Sequence, residues 1–223
     1  MSPRRPLGLG QRLALRGVHA LSRLFVGYRT PFLDEVVRRH GLRGSAARLR
    51  QAQAIVDALE HGLGERDAHL LIGCASLWNG CQFCALGHIH AANLAHFRDT
   101  AELFPLDEDE LARRLHDDTD AALLAHLRDA LVDHPAALAR VERLYQLKVG
   151  HVPHPALQPG APPTREREDD LLALAITAYD WLNHFSLAGE GERPELVALS
   201  PLHRDHDLRR RYAVARAAAR RPT

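Results

Sequence analysis

Lysine is almost missing from this chain: 28 of its 29 basic residues are arginine, and only Lys148 is lysine. Cysteine is scarce as well. Three cysteines in 223 residues exclude the disulfide-dense scaffold of a small secreted domain. Aromatic residues make up only 5%, and there is a single methionine. No stretch approaches the roughly 20 apolar residues of a membrane span. No run alternates with period two for long enough to make a strand, and no internal repeat of about 20–50 residues is present. What is there, 46% hydrophobic and 26% charged, is the composition of a soluble globular protein. The length suits one compact domain, or two small ones. The Arg, Ala and Leu bias has the look of a GC-rich genome and carries no chemical message.

The net charge of +1 conceals a segregation. Residues 1–50 carry a net of +9, residues 51–200 a net of −13, and residues 201–223 a net of +5. An acidic body therefore has two basic ends, which charge patterning expects to fold back on it or on a neighbouring copy. No nucleic-acid partner is expected. Arg12, Arg16 and Arg23 interrupt the apolar stretch Leu7 to Val26, and no small-residue cleavage signal follows it. That stretch reads as an amphipathic helix of a cytoplasmic protein, without a membrane partner.

Apolar spacing is helical almost throughout, so the fold class is all-α. Ser45 is the expected N-cap of a helix with Leu49, Ala52, Val56 and Leu59 on one face. Glu65 to Trp78 reads as a buried helix, Asn79-Gly80 as a break, and Cys81 to Phe97 as the next helix. The run Asp107 to Glu110 suits a helix N-terminus. Further faces follow at Leu123 to Leu131 and at Leu138 to Tyr145, with Gly150 as the C-cap. Val152 to Thr164 holds five of the 13 prolines and reads as a loop. After it come a long amphipathic helix through Phe185 and an Arg-rich surface helix from about Asp207 to Arg220.

All three cysteines fall within eleven residues, at Cys74, Cys81 and Cys84. With Asn79 as cap and Cys81 in the first helical turn, about 100° per residue puts Cys84, His88 and Cys81 on one face. His90 falls on the opposite face. A thiol near a helix N-terminus and beside an imidazole has what a redox dithiol needs: a lowered pKa and a proton acceptor. Cys81, nearer the N-terminus, should feel more of the dipole, whereas Cys84 stacks beside His88 one turn on. Cys74 reads as a small core residue. Zinc is the alternative, with Cys74 and His88 joining the pair, although their spacing is not that of a standard site. Trp78, Phe83, Trp181 and Phe185 are candidates to wall an apolar pocket over the dithiol.

The segment Leu70 to His96, "LLIGCASLWNGCQFCALGHIHAANLAH", with Asn79, Cys81, Phe83, Cys84 and His88, resembles the alkylhydroperoxidase D (AhpD)-like branch of the carboxymuconolactone decarboxylase superfamily. The helix "AITAYDWLNHF", Ala175 to Phe185, looks like one that follows the core there. The resemblance implies a compact multi-helix AhpD-like domain over residues 31–190, with helical extensions at 1–30 and 191–223. It also implies a homo-oligomer, trimer or hexamer. The implied activity is thiol-dependent reduction of a small-molecule peroxide, with a dithiol or protein-thiol reductant and no bound cofactor beyond the redox-active disulfide. By the same resemblance Cys84 is the attacking thiolate, Cys81 the resolving thiol, and His88 part of a proton relay. The position twelve residues before Cys81, a glutamate in that family, is His69 here, and a His–His pair would favour neutral imidazoles. The alternatives are a non-enzymatic zinc-binding or oligomeric module, and the lyase chemistry of the superfamily's other branch.

Overall fold

The computed structural model describes residues 8–25, 32–157, 168–189 and 196–220. The expected boundaries at 30/31 and 190/191, and residues 158–164 of the Pro-rich loop, lie outside them. Among the described residues every regular element is a helix, and none is long and apolar enough to cross a membrane. The helices are α1 (Leu9–Phe25), α2 (Leu33–Leu63), α3 (Glu65–Leu77), α4 (Gln82–Thr100), α5 (Glu108–Asp117), α6 (Asp120–Ala130), α7 (Pro135–Lys148), α8 (Glu168–Gly189) and α9 (His206–Ala219). The chain is an all-α, compact multi-helix assembly.

Helices α3 and α4 form a central hairpin around which the rest is arranged. From Asp67 to Leu77 every residue of α3 is buried, so its apolar residues face neighbours all round rather than on one stripe. Two glycines set the spacing of this hairpin and its cover. A Cβ at Gly73 would lie 2.8 Å from Ile89 on α4, and one at Gly87 would lie 2.5 Å from Leu199. The Leu199 segment is also tied to α4 by its backbone N–H, which donates to the Gly87 carbonyl at 2.9 Å. On one side α2 and α8 pack on α3 through Leu59, Ala68, Ile72, Leu171 and Ala175. On the other, α5 to α7 close the main core with Leu111, Leu127, Val141 and Leu144.

Several local expectations need correction. Ser45 is not an N-cap: it lies inside α2, after a kink at Gly41 (φ 68°), and its hydroxyl donates to the Gly41 carbonyl at 2.6 Å. Gly150 is not the C-cap of α7; that position is Val149, and the positive φ falls on His151. The acidic run does start a helix, with Asp107 as N-cap accepting from the backbone N–H groups of Asp109 and Glu110.

Helix α9 lies on that acidic run. Arg216 reaches Asp107 at 3.2 Å, Glu108 at 3.0 Å and Asp109 at 3.0 Å, and Arg220 pairs with Asp107 and Asp109. Beneath these exposed pairs is a buried network. The Glu108 carboxylate receives hydrogen bonds from Asn93 (2.8 Å) and Tyr212 (3.0 Å), and lies 2.7 Å from His90 Nδ1. Burial alone would push the Glu108 carboxyl up, but the His90 hydrogen bond and charge, with Arg216, hold it below its ordinary value. Its native pKa is depressed, so its contribution to stability is present above the unfolded carboxyl range and disappears as pH falls through the lowered native value. We expect Glu108→Ala to cost roughly 3–5 kcal/mol in urea unfolding near neutral pH, with the gap to wild type closing in acid. A cost under about 1 kcal/mol would contradict the buried network.

Candidate functional site

The break between α3 and α4 is made by Gly80 (φ 70°), after which Cys81 adopts an extended conformation and becomes the N-cap of α4. This corrects the expected placement of Cys81 in the first turn under an Asn79 cap. The Asn79 amide instead donates to Asp180 of α8 at 2.9 Å, and Lys148 binds the same carboxylate at 2.5 Å. A full charge on a neighbouring helix has captured the amide. Cys81 therefore lies just before the helical wheel, while Cys84 and His88 sit within it, one turn apart on the same face.

A cavity of about 550 Å³ opens beside this face, within the range of roughly 300–1,000 Å³ usual for small-molecule sites. Cys84, His88 and His69 all line it; Cys81 does not. Its apolar wall comes from Phe83 together with Phe32, Leu49, Val56 and Leu182. Of the aromatic residues expected to form that wall only Phe83 does so. Trp78 stacks edge-on against Tyr145, and Trp181 and Phe185 pack on each other and on His40.

His69 and His88 meet in the α3–α4 interface. Their Nδ1 atoms are 2.8 Å apart and their rings are stacked, with centroids 5.1 Å apart and planes at 25°. Two nitrogens at this distance require one to donate and the other to accept, so at most one of the two rings can be charged. Burial, and then the facing His69, hold the His88 imidazole well below the ordinary histidine range, and it is neutral at pH 7. Tyr179 of α8 packs edge-on against His88, with centroids 5.1 Å apart.

The pattern of the sequence missed Glu60. It stands in the last turn of α2, and one of its carboxylate oxygens lies 3.2 Å from His69 Nε2. Gly64 (φ 83°) turns the chain between the two helices and brings Glu60 alongside a residue nine positions on. The only signal was a carboxylate just before a glycine break. Glu65, one turn before His69 on α3, is the other acidic neighbour; its carboxylate also accepts from Arg98 at 2.6 Å. The site thus runs as Cys84, His88, His69 and Glu60, from α4 through α3 to α2.

All three cysteines are free thiols and all are buried. Cys74 lies in the main core, away from the cavity lining, and burial pushes its thiol up to about 12. His90 faces Glu108 and His96 packs on Phe104 and His134, so neither enters the site. Compared with known proteins, the chain matches no family model, no curated protein and no solved structure.

The contrast between the thiols is measurable. In the native state, a small alkylating agent should modify Cys84 at least tenfold faster than Cys74, which should react only on unfolding. Peptide mass spectrometry over a time course reads this directly. Equal rates would mean that the cavity gives Cys84 no access.

Proposed function

We propose that the chain is a thiol-dependent peroxidase, a disulfide oxidoreductase that reduces organic hydroperoxides through the Cys81–Cys84 pair, with a helical core of the AhpD-like kind. One observation carries the reading: of the two CxxC thiols, Cys84 lines an apolar-walled cavity that also holds a neutral imidazole, His88, and its partner His69.

In the first step, neutral His88 takes the Cys84 thiol proton, and the thiolate attacks the terminal peroxide oxygen. The S–O bond forms as the O–O bond breaks. The departing alkoxide receives the proton and leaves as the alcohol, and Cys84 is left as a sulfenic acid. The thiol of Cys81 then condenses with the sulfenic acid, releasing water and closing the disulfide, and an external dithiol or protein thiol restores both thiols by exchange. While His88 holds the proton, the positive charge is met by the His69 Nδ1 acceptor, with Glu60 beyond it 3.2 Å from Nε2. In this reading Glu60 takes the place of the carboxylate that the resembled family has at the position of His69. A homo-oligomeric state, trimer or hexamer, and a cytoplasmic location belong to the same reading.

Treatment with one equivalent of an alkyl hydroperoxide, followed by thiol trapping and mass spectrometry, is the test. We expect a Cys81–Cys84 disulfide in the wild type and a trapped sulfenic acid on Cys84 in Cys81→Ser. Dithiol-dependent turnover should fall at least 100-fold in Cys84→Ser. Undiminished turnover in that variant, or no oxidation of either thiol, would overturn the proposal.

A further inference from the structure

The Glu60–His69 contact belongs to a larger cluster. The carboxylates of Glu60 and Glu65 and a ring nitrogen of His69 offer three ligand atoms that all lie within 4.8 Å of one another. His69 is 1% exposed, and its Nε2 makes no hydrogen bond, although it faces the Glu60 carboxylate at 3.2 Å. A buried ring nitrogen left unsatisfied beside two acids is costly unless something occupies the position. We infer that Glu60, Glu65 and His69 form a binding site for a divalent transition-metal cation, at the junction of α2 and α3 on the edge of the cavity.

Three features of the surroundings support this assignment. Ligands about 2.0–2.2 Å from a zinc ion stand roughly 3.3–3.6 Å from one another in a tetrahedral shell. Glu60 and His69 already have close to that spacing, and Glu65 needs only a side-chain adjustment. A metal-bound histidine commonly uses its other ring nitrogen to donate to a fixed partner. The His69 Nδ1, 2.8 Å from the Nδ1 of neutral His88, is placed to do so. Ligating carboxylates are themselves commonly held by hydrogen bonds, and Arg98 Nη1 holds Glu65 at 2.6 Å. Glu60 and His69 also line the cavity, which leaves room for water at the remaining coordination positions. One imidazole and two carboxylates suit Zn²⁺, Mn²⁺ or Fe²⁺ over Cu⁺, which prefers sulfur ligands. The site uses none of the cysteines. It is therefore distinct from a zinc site built on the CxxC pair, although it shares His69 and Glu60 with the proposed proton relay.

A bound cation on Nε2 would fix the proton of His69 on Nδ1 and aim it at His88. The metal would then hold the two-histidine contact in the tautomer opposite to the one in which His88 donates to His69, which couples the cluster to the dithiol face.

The test is isothermal calorimetry with Zn²⁺ alone and Mn²⁺ alone, on protein carrying Cys81→Ser and Cys84→Ser so that no thiolate of the pair can bind. We expect about one cation per chain. Glu65→Gln and Glu60→Gln, made in that background and checked for an unchanged circular dichroism spectrum, should each weaken binding at least tenfold. The thermal midpoint should rise with Zn²⁺ in the parent and not in Glu65→Gln. Three results would each overturn the site: no binding of either ion, binding undiminished in both glutamate variants, or binding to the wild type that disappears in the Cys81→Ser/Cys84→Ser background.

Discussion

Two imidazoles pressed together in a buried helix interface set the terms for the rest of the molecule. The His69–His88 contact, Nδ1 to Nδ1 at 2.8 Å, holds only while one ring donates and the other accepts. Double protonation would set two N–H donors and two like charges against each other at that distance. The packing that holds the two rings against each other is that of α3 on α4, which the absence of a Cβ at Gly73 brings close together. The neutral state of His88 is thus a consequence of helix packing, and a neutral imidazole beside Cys84 is what thiol chemistry requires.

Helix α4 is held from both sides, and two histidines two residues apart mark those sides. His88 faces the cavity and its partner on α3, whereas His90 faces the buried Glu108 of α5. Glu108 is fixed in turn by Tyr212 and Arg216 of α9, which rests on the acidic run at the start of α5. The charge segregation of the chain acquires a structural meaning here. Arg216 and Arg220 pair with acids of the body, while Leu208 and Tyr212 of α9 pack on Ala91, Leu94 and Phe97 of α4. The exposed pairs among them contribute little individually, and the buried carboxylate contributes most.

Much of this could be read from residue order. Helical spacing marks nearly every element, and the run Cys81, Cys84, His88 identifies the part of the chain where a cavity and an imidazole coincide. Only the family resemblance, which has its relay glutamate twelve residues before the first cysteine, pointed to His69 as the partner of His88. What could not be read depends on neighbours distant in sequence. Asn79 looks like a cap, but Asp180, about a hundred residues later, takes its amide. Trp181 and Phe185 look like pocket walls, but they turn toward His40 on α2. Glu60 shows no pattern with the cysteine motif, because the turn at Gly64 that brings it to His69 is a property of backbone conformation.

The account rests on the state of the two histidines more than on any other feature. Nitrogen-15 NMR of the imidazole rings, with His69→Gln and His88→Gln used for assignment, reports proton position and charge directly. The account predicts that His88 is neutral at pH 7, with its Nδ1 joined to that of His69 by a single shared proton. A charged His88 at pH 7, or two rings with no hydrogen bond between them, would contradict it.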